Sequence, residues 1–178
     1  MQNHLHRAAE EKSFSMKPYE CKITINAPPA KVFTALTTAE GFQGWWTADC
    51  EVATKPGAQS TFRFGKTICV AQIRKMVRDQ EVHWHCVEYF LDFSMVSKTD
   101  EWVGTSMNFH LTAGPDNSTD LHFVHEGLTP ELECYALCES GWGHFLKTSL
   151  KKFVETGKGE PYNQDYPYSP DQVAPGGQ

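Results

Sequence analysis

A chain of 178 residues with 12% aromatic content and a net charge of −6 is long enough for one domain with a sizeable core. The negative balance and the lack of any basic run exclude the positive footprint that phosphate backbones require, so nucleic acid is not an expected partner. No apolar run reaches the length of a membrane span and the N-terminal MQNHLHRAAEEKSF lacks the apolar core of a signal peptide, which makes the cytoplasm the expected location.

Residues 1–18 are polar and carry no sustained period, so they read as a flexible N-terminal extension. From Tyr19 apolar and polar residues alternate through Ile25, the pattern of a half-buried strand, which Ala27-Pro28-Pro29 breaks. The prolines open a short helix over residues 29–36, and Thr38 can cap a second short helical turn running to Gly44. After Trp45-Trp46 the pattern becomes that of an antiparallel meander, with strands expected over residues 48–53, 60–64, 67–77, 81–88, 102–112 and 120–126. Turn residues such as Lys55-Pro56-Gly57, Gly65-Lys66 and Gly114-Pro115-Asp116-Asn117 separate them. Residues 91–101 fit either a loop or an irregular strand continuation over the sheet.

Residues 129–156 read as one long helix, with Thr129 as N-cap, Pro130 at the first position and Glu131 and Glu133 in the first turn. Its apolar face carries Leu132, Tyr135, Cys138, Trp142, Phe145, Leu146, Leu150 and Phe153 at helical spacing. Gly141 and Gly143 flank Trp142, which suggests close approach to another backbone. A domain of residues 19–157 is therefore expected, followed by a Pro/Gly-rich tail, 158–178, disordered or pinned by its tyrosines. The six cysteines contain no CxxC pair and are scattered through expected strands, which fits reduced core thiols.

This order of elements resembles the α+β helix-grip (START/Bet v 1-like, SRPBCC) fold. In it a curved antiparallel sheet of six or seven strands wraps around a long C-terminal helix, and two short helices follow the first strand. More narrowly, the chain resembles the family named for homology to the activator of the heat-shock-protein ATPase. The residues that carry the likeness are Ala27-Pro28-Pro29-Ala30-Lys31-Val32-Phe33, Trp45-Trp46-Thr47, Gly65, Glu81-Val82-His83-Trp84, residues 121–128 and Gly141-Trp142 with Leu146 and Leu150. Many members of that family have His three residues before the Gly-Trp pair; here the position is Cys138.

The resemblance implies a cavity between sheet and C-terminal helix that holds a small hydrophobic or amphipathic ligand, because apolar burial gives affinity and a few polar groups fix orientation. Its expected lining is Trp45, Trp46, Phe62, Phe64, Trp84, Met107, Phe109, Phe123, His125, Tyr135, Cys138 and Trp142. Each of the large residues also has a plain reading as core. His125 is the expected polar anchor, sharing a strand face with Leu121 and Phe123; an imidazole satisfied by its neighbours is the plainer reading. Trp45, Trp46 and residues 91–101 are expected at the entrance, and Glu88 and Glu139 are further polar candidates.

His83 and His85 share a strand face to which His110 or His122 can be added, but ligand type without geometry is weak, and no metal or other cofactor is expected. No nucleophile elbow, Walker loop or dinucleotide fingerprint occurs, so an enzyme of the cyclase or hydrolase type stands only as an alternative by analogy. A chaperone-associated or other interaction module is a further alternative. Chaperone contact is disfavoured because residues 1–18 are too short for the additional N-terminal domain of the family's co-chaperones. A homodimer through an exposed sheet edge or aromatic patch is allowed.

Overall fold

Period-two alternation puts Tyr19, Cys21 and Ile25 of β1 (Tyr19–Ile25) inward and Glu20, Lys22 and Thr24 outward. The computed structural model describes residues 16–164, so the expected extension up to residue 15 and the tail from residue 165 lie outside the described residues. After β1, α1 (Pro29–Thr37) opens on its proline, and α2 (Ala39–Trp45) is capped by Thr38, whose Oγ1 accepts from Gly41 N at 3.0 Å. Then β2 (Cys50–Glu51), β3 (Gln59–Phe64), β4 (Thr67–Val77), β5 (Glu81–Phe90), β6 (Ser106–Ala113) and β7 (Thr119–Glu126) follow. All pair antiparallel in one seven-stranded curved sheet ordered β1-β7-β6-β5-β4-β3-β2. The α+β helix-grip architecture expected from the sequence is the one observed.

The C-terminal helix closes the inner face. It runs continuously over residues 135–156 as α3 (Tyr135–Trp142), a π-helical stretch (Gly143–Leu150) and α4 (Lys151–Thr156), with right-handed backbone at both joins. Cys138, Trp142, Leu146, Leu150 and Val154 are buried. A spacing of four drifts by about 40° per step on a regular α-helix; the wider turns of the π stretch counter that drift, so Val154 is buried more deeply than the expected Phe153. Ser149 is a polar tie within this face: its Oγ donates to Trp45 O at 2.6 Å and accepts from Glu160 N at 2.8 Å.

The helix begins at Tyr135, not Thr129. Residues 129–134 form turns, because their acidic groups and amides are committed to the loop opposite. The Glu133 carboxylate accepts from Ser97 N at 2.6 Å, Ser97 Oγ at 2.7 Å and Lys98 N at 3.3 Å. Glu101 in turn accepts from the amides of Glu133 at 3.2 Å and Cys134 at 2.9 Å, which caps the helix start from another segment. Similarly β6 starts at Ser106 rather than residue 102, since Thr105 N bonds Trp102 O at 2.9 Å in a turn. That turn buries Trp102 and leaves Val103 exposed. β2 is shorter than the expected strand over residues 48–53.

Two register shifts move side chains across the sheet. Between β4 and β5 the pairing passes from Val70↔Glu88 to Ala71↔Cys86, so Val87 is bulged. Cys86 therefore faces in, Glu88 out and Tyr89 in again. A second shift after Ile73 leaves Arg74 unpaired and puts Lys75 opposite His83 on the outer face.

The packed chain continues beyond Gly157. Residue 159 crosses so close to α2 that a Cβ there would fall on Gly44 O and lie 2.8 Å from Ser149 O. Tyr162 then bridges to Thr47 and bonds Trp46 O through its amide at 2.8 Å. Gly143 has open space at its Cβ position, so no close backbone approach explains that glycine.

Candidate functional site

A cavity of about 410 Å³ opens at one end of the inner face, between the β3–β4 turn, the end of β5, residues 91–102 and the first turns of the C-terminal helix. Its floor is a row of nearly parallel rings. Trp46 stacks on Trp142 (centroids 5.4 Å, planes 20° apart), Trp142 on Trp102 (5.8 Å, 6°) and Trp102 on Tyr89 (4.6 Å, 7°). Such offset rings present one continuous apolar surface. Leu137, Phe93, Phe145 and Phe64 add apolar walls, and Lys66, Thr67 and Asp92 supply the polar part of the lining. Tyr162 stands edge-on to Phe64 at 5.6 Å and completes the wall.

The tryptophans are fixed from behind by a hydrogen-bonded chain. Trp142 Nε1–H donates to His125 Nδ1 at 3.0 Å, so the imidazole proton sits on Nε2, which faces Thr105 Oγ1 at 2.8 Å. The threonine hydroxyl then donates to Trp102 O at 2.6 Å, and Trp102 Nε1–H donates to Cys138 Sγ at 3.3 Å. His125 is fully buried, and burial lowers its pKa to about 3, so it is neutral at pH 7. With both nitrogens engaged it holds two rings of the floor, and it is not among the residues that line the cavity.

The polar group that sequence reasoning missed is Tyr89. Burial, and secondarily the thiols of Cys138, Cys69, Cys134 and Cys86 around it, push its phenol well above the ordinary range. Its hydroxyl therefore stays protonated, and it has no hydrogen-bond partner among the described residues. The bulge at Val87 is what turns Tyr89 inward.

Of the twelve residues expected to line the cavity, Trp46, Phe64, Cys138 and Trp142 do so. Phe62, Trp84, Met107 and Phe109 surround a second void of about 10 Å³ together with Phe42, Trp46 and Trp142, at the lower limit of the room one water needs. Phe42 fills the space they would have lined: its ring lies 4.8 Å from Phe62 and edge-on to Trp84 at 5.8 Å. Trp45 is fully buried, its Nε1–H bonded to Ala35 O at 2.9 Å, and Phe123 packs on Trp142 at 4.5 Å from the side away from the cavity lining. Tyr135 lies at the helix start outside the cavity, half-buried. Of the expected entrance, Leu91, Asp92 and Phe93 line the cavity and Trp45 does not. Glu88 is exposed on the outer face and Glu139 is also exposed.

Residues 26–155 match the family model described as Activator of Hsp90 ATPase homolog 1-like protein. The chain belongs to this family. A comparison with curated proteins finds no match. Among solved structures, this Activator of Hsp90 ATPase homolog 1-like chain is similar to the Aha1 dimer from Colwellia psychrerythraea, at 31% identity over 81% of this chain and 100% of that one, TM-score 0.67. Protein CV1439 from Chromobacterium violaceum shares the fold at 18% identity, over 78% and 97% of the two chains, TM-score 0.61. Protein BH1534 from Bacillus halodurans does so at 20% identity, over 79% and 98%, TM-score 0.58. The fold is thus one that carries ligand-binding and interaction modules. Among the described residues no helix is long and apolar enough to cross a membrane.

Proposed function

We propose that this protein binds a small amphipathic molecule in the cavity at the open end of the helix grip, its apolar part against the Trp46–Trp142–Trp102–Tyr89 row. The observation that carries the reading is that row: four rings held parallel beneath about 410 Å³ of open space, within the roughly 300–1,000 Å³ of small-molecule sites. Core aromatics normally interdigitate with other side chains; here four stack on one another along one side of an open cavity. The free Tyr89 hydroxyl favours a ligand with a hydrogen-bond acceptor at its buried end, and Lys66 and Asp92 favour a polar group at the mouth. Native mass spectrometry of the purified chain beside its denatured mass tests this. A stoichiometric extra mass lost on unfolding is expected, and its absence, with no small amphipathic molecule retained after addition, would count against the reading.

A second reading, self-association, has one specific observation behind it. Ile68 and Phe90 are cross-strand partners on the outer face and are 37% and 46% exposed. The Colwellia psychrerythraea relative is a dimer. Sedimentation of the wild type beside Ile68→Lys tests it: a dimer made monomeric by the substitution supports this surface, and a monomer at all concentrations rejects it.

A further inference from the structure

On the opposite face of the sheet from the cavity, three side chains that the ligand reading does not use converge. Glu81 and His83 are two residues apart on β5 and so share the outer face, and the register places His110 of β6 directly opposite Glu81. His83 Nε2 lies 2.9 Å from Glu81 Oε2, His110 Nδ1 lies 3.5 Å from the same oxygen, and all three atoms fall within 4.8 Å of one another. The other carboxylate oxygen, Oε1, is held by Lys75, which the second register shift brings to this face. A nitrogen 2.9 Å from a carboxylate oxygen would ordinarily be a hydrogen bond. Here the contact is poorly directed: His83 Nε2 is buried and makes no well-aligned hydrogen bond. The three ligand atoms crowd together, as ligands around a shared centre do.

We propose that Glu81, His83 and His110 form a three-ligand site for a divalent transition ion of the zinc type. Metal–ligand bonds of about 2.0–2.1 Å in tetrahedral geometry separate neighbouring ligand atoms by about 3.3 Å. The two separations to Glu81 Oε2 bracket that value, and a small rotation of the more exposed His110 ring brings in the third. Two imidazoles and one carboxylate suit zinc, copper or nickel, whereas calcium and magnesium prefer all-oxygen sets. Lys75 fixes the carboxylate from behind, as outer-shell partners of metal ligands do. His110 is the most exposed of the three, so the remaining coordination position faces solvent and takes water.

The neighbouring histidines are committed elsewhere. His85 Nδ1 faces Ser106 Oγ at 3.1 Å, and His122 Nε2 faces Glu20 Oε1 at 2.7 Å. They are therefore controls. Tag-free full-length protein, stripped with chelator, is titrated with Zn²⁺ by calorimetry and with Co²⁺ by visible absorption, beside His83→Ala, His110→Ala, Glu81→Gln and His85→Ala. The expected result is one ion per chain, the intense Co²⁺ absorption of a tetrahedral site, weakening of at least about tenfold in the first three variants and no change in the fourth. No saturable binding by wild type would overturn the site, as would binding that survives both histidine substitutions, which would place the ion on other groups. Far-ultraviolet circular dichroism of each variant verifies folding, and His110, 43% exposed, is the substitution least able to disturb it.

Discussion

Trp142→Ala probes both the core and the cavity floor. The side chain is 2% exposed and packs on Trp46 at 5.4 Å, Trp102 at 5.8 Å and Phe123 at 4.5 Å, while its indole N–H satisfies His125 Nδ1 at 3.0 Å. Truncating a buried aromatic of this size costs about 3–5 kcal/mol. Trp142→Phe separates the two contributions: it keeps an aromatic ring but leaves a fully buried imidazole nitrogen without a donor, which costs about 1–3 kcal/mol. Urea unfolding followed by far-ultraviolet circular dichroism reads both, because tryptophan fluorescence itself changes with the substitution. The alanine variant should lose more stability than the phenylalanine variant, and both should lose more than about 1 kcal/mol. An alanine variant within about 1 kcal/mol of wild type would refute the packing account, and a phenylalanine variant as stable as wild type would refute the role of the hydrogen bond.

His125 makes stability depend on pH. Its folded pKa of about 3 lies below the ordinary 6.5, so the unfolded chain binds the proton more tightly. The stabilisation is complete above about pH 6.5 and lost as pH falls towards about 3, at about 1.4 kcal/mol per pH unit between them. The difference in slope between wild type and His125→Gln over pH 4.5 to 6 measures this term, and equal slopes would contradict it. Glu133→Ala removes the acceptor of the Ser97 and Lys98 amides, so hydrogen exchange at both should accelerate by about tenfold while exchange in β5 stays unchanged; unaltered exchange at Ser97 would show that the loop is held otherwise.

Most of the fold was legible because its elements announce themselves through period and punctuation. β4 and the β7 alternation follow directly from the sequence pattern, and Pro29 and Thr38 mark the two short helices. The candidate site was legible only in part, and the reasons are local. One bulged residue, Val87, inverts the alternation beyond Cys86, which hid Tyr89 and misdirected attention to Glu88. The turn at residues 102–105 does the same for Trp102. Tyr162 lies beyond the last helix, in a tail whose tyrosines allowed pinning to the surface but whose composition could not show which of them packs or where. Phe42 fills the centre of the grip, and aromatic content alone could not show whether the rings would fill that space or line it. The long-range contacts of Glu101 and Glu133, which move the helix start from residue 129 to residue 135, have no signature in local sequence either.

The central claim is that one end of the grip, and not its filled centre, receives a ligand. The most direct test follows the five tryptophan indole N–H signals by NMR, assigned by substitution, during titration with a fluorescent naphthalene sulfonate as an amphipathic ring probe. Trp46, Trp102 and Trp142 line the cavity and their signals should move together and saturate, while those of Trp45 and Trp84 stay in place. Leu137→Trp, which adds bulk to the wall, should weaken that response by at least about tenfold, a loss of about 1.4 kcal/mol in affinity. Movement of the Trp84 signal ahead of the other three, or probe binding indifferent to Leu137→Trp, would contradict the account.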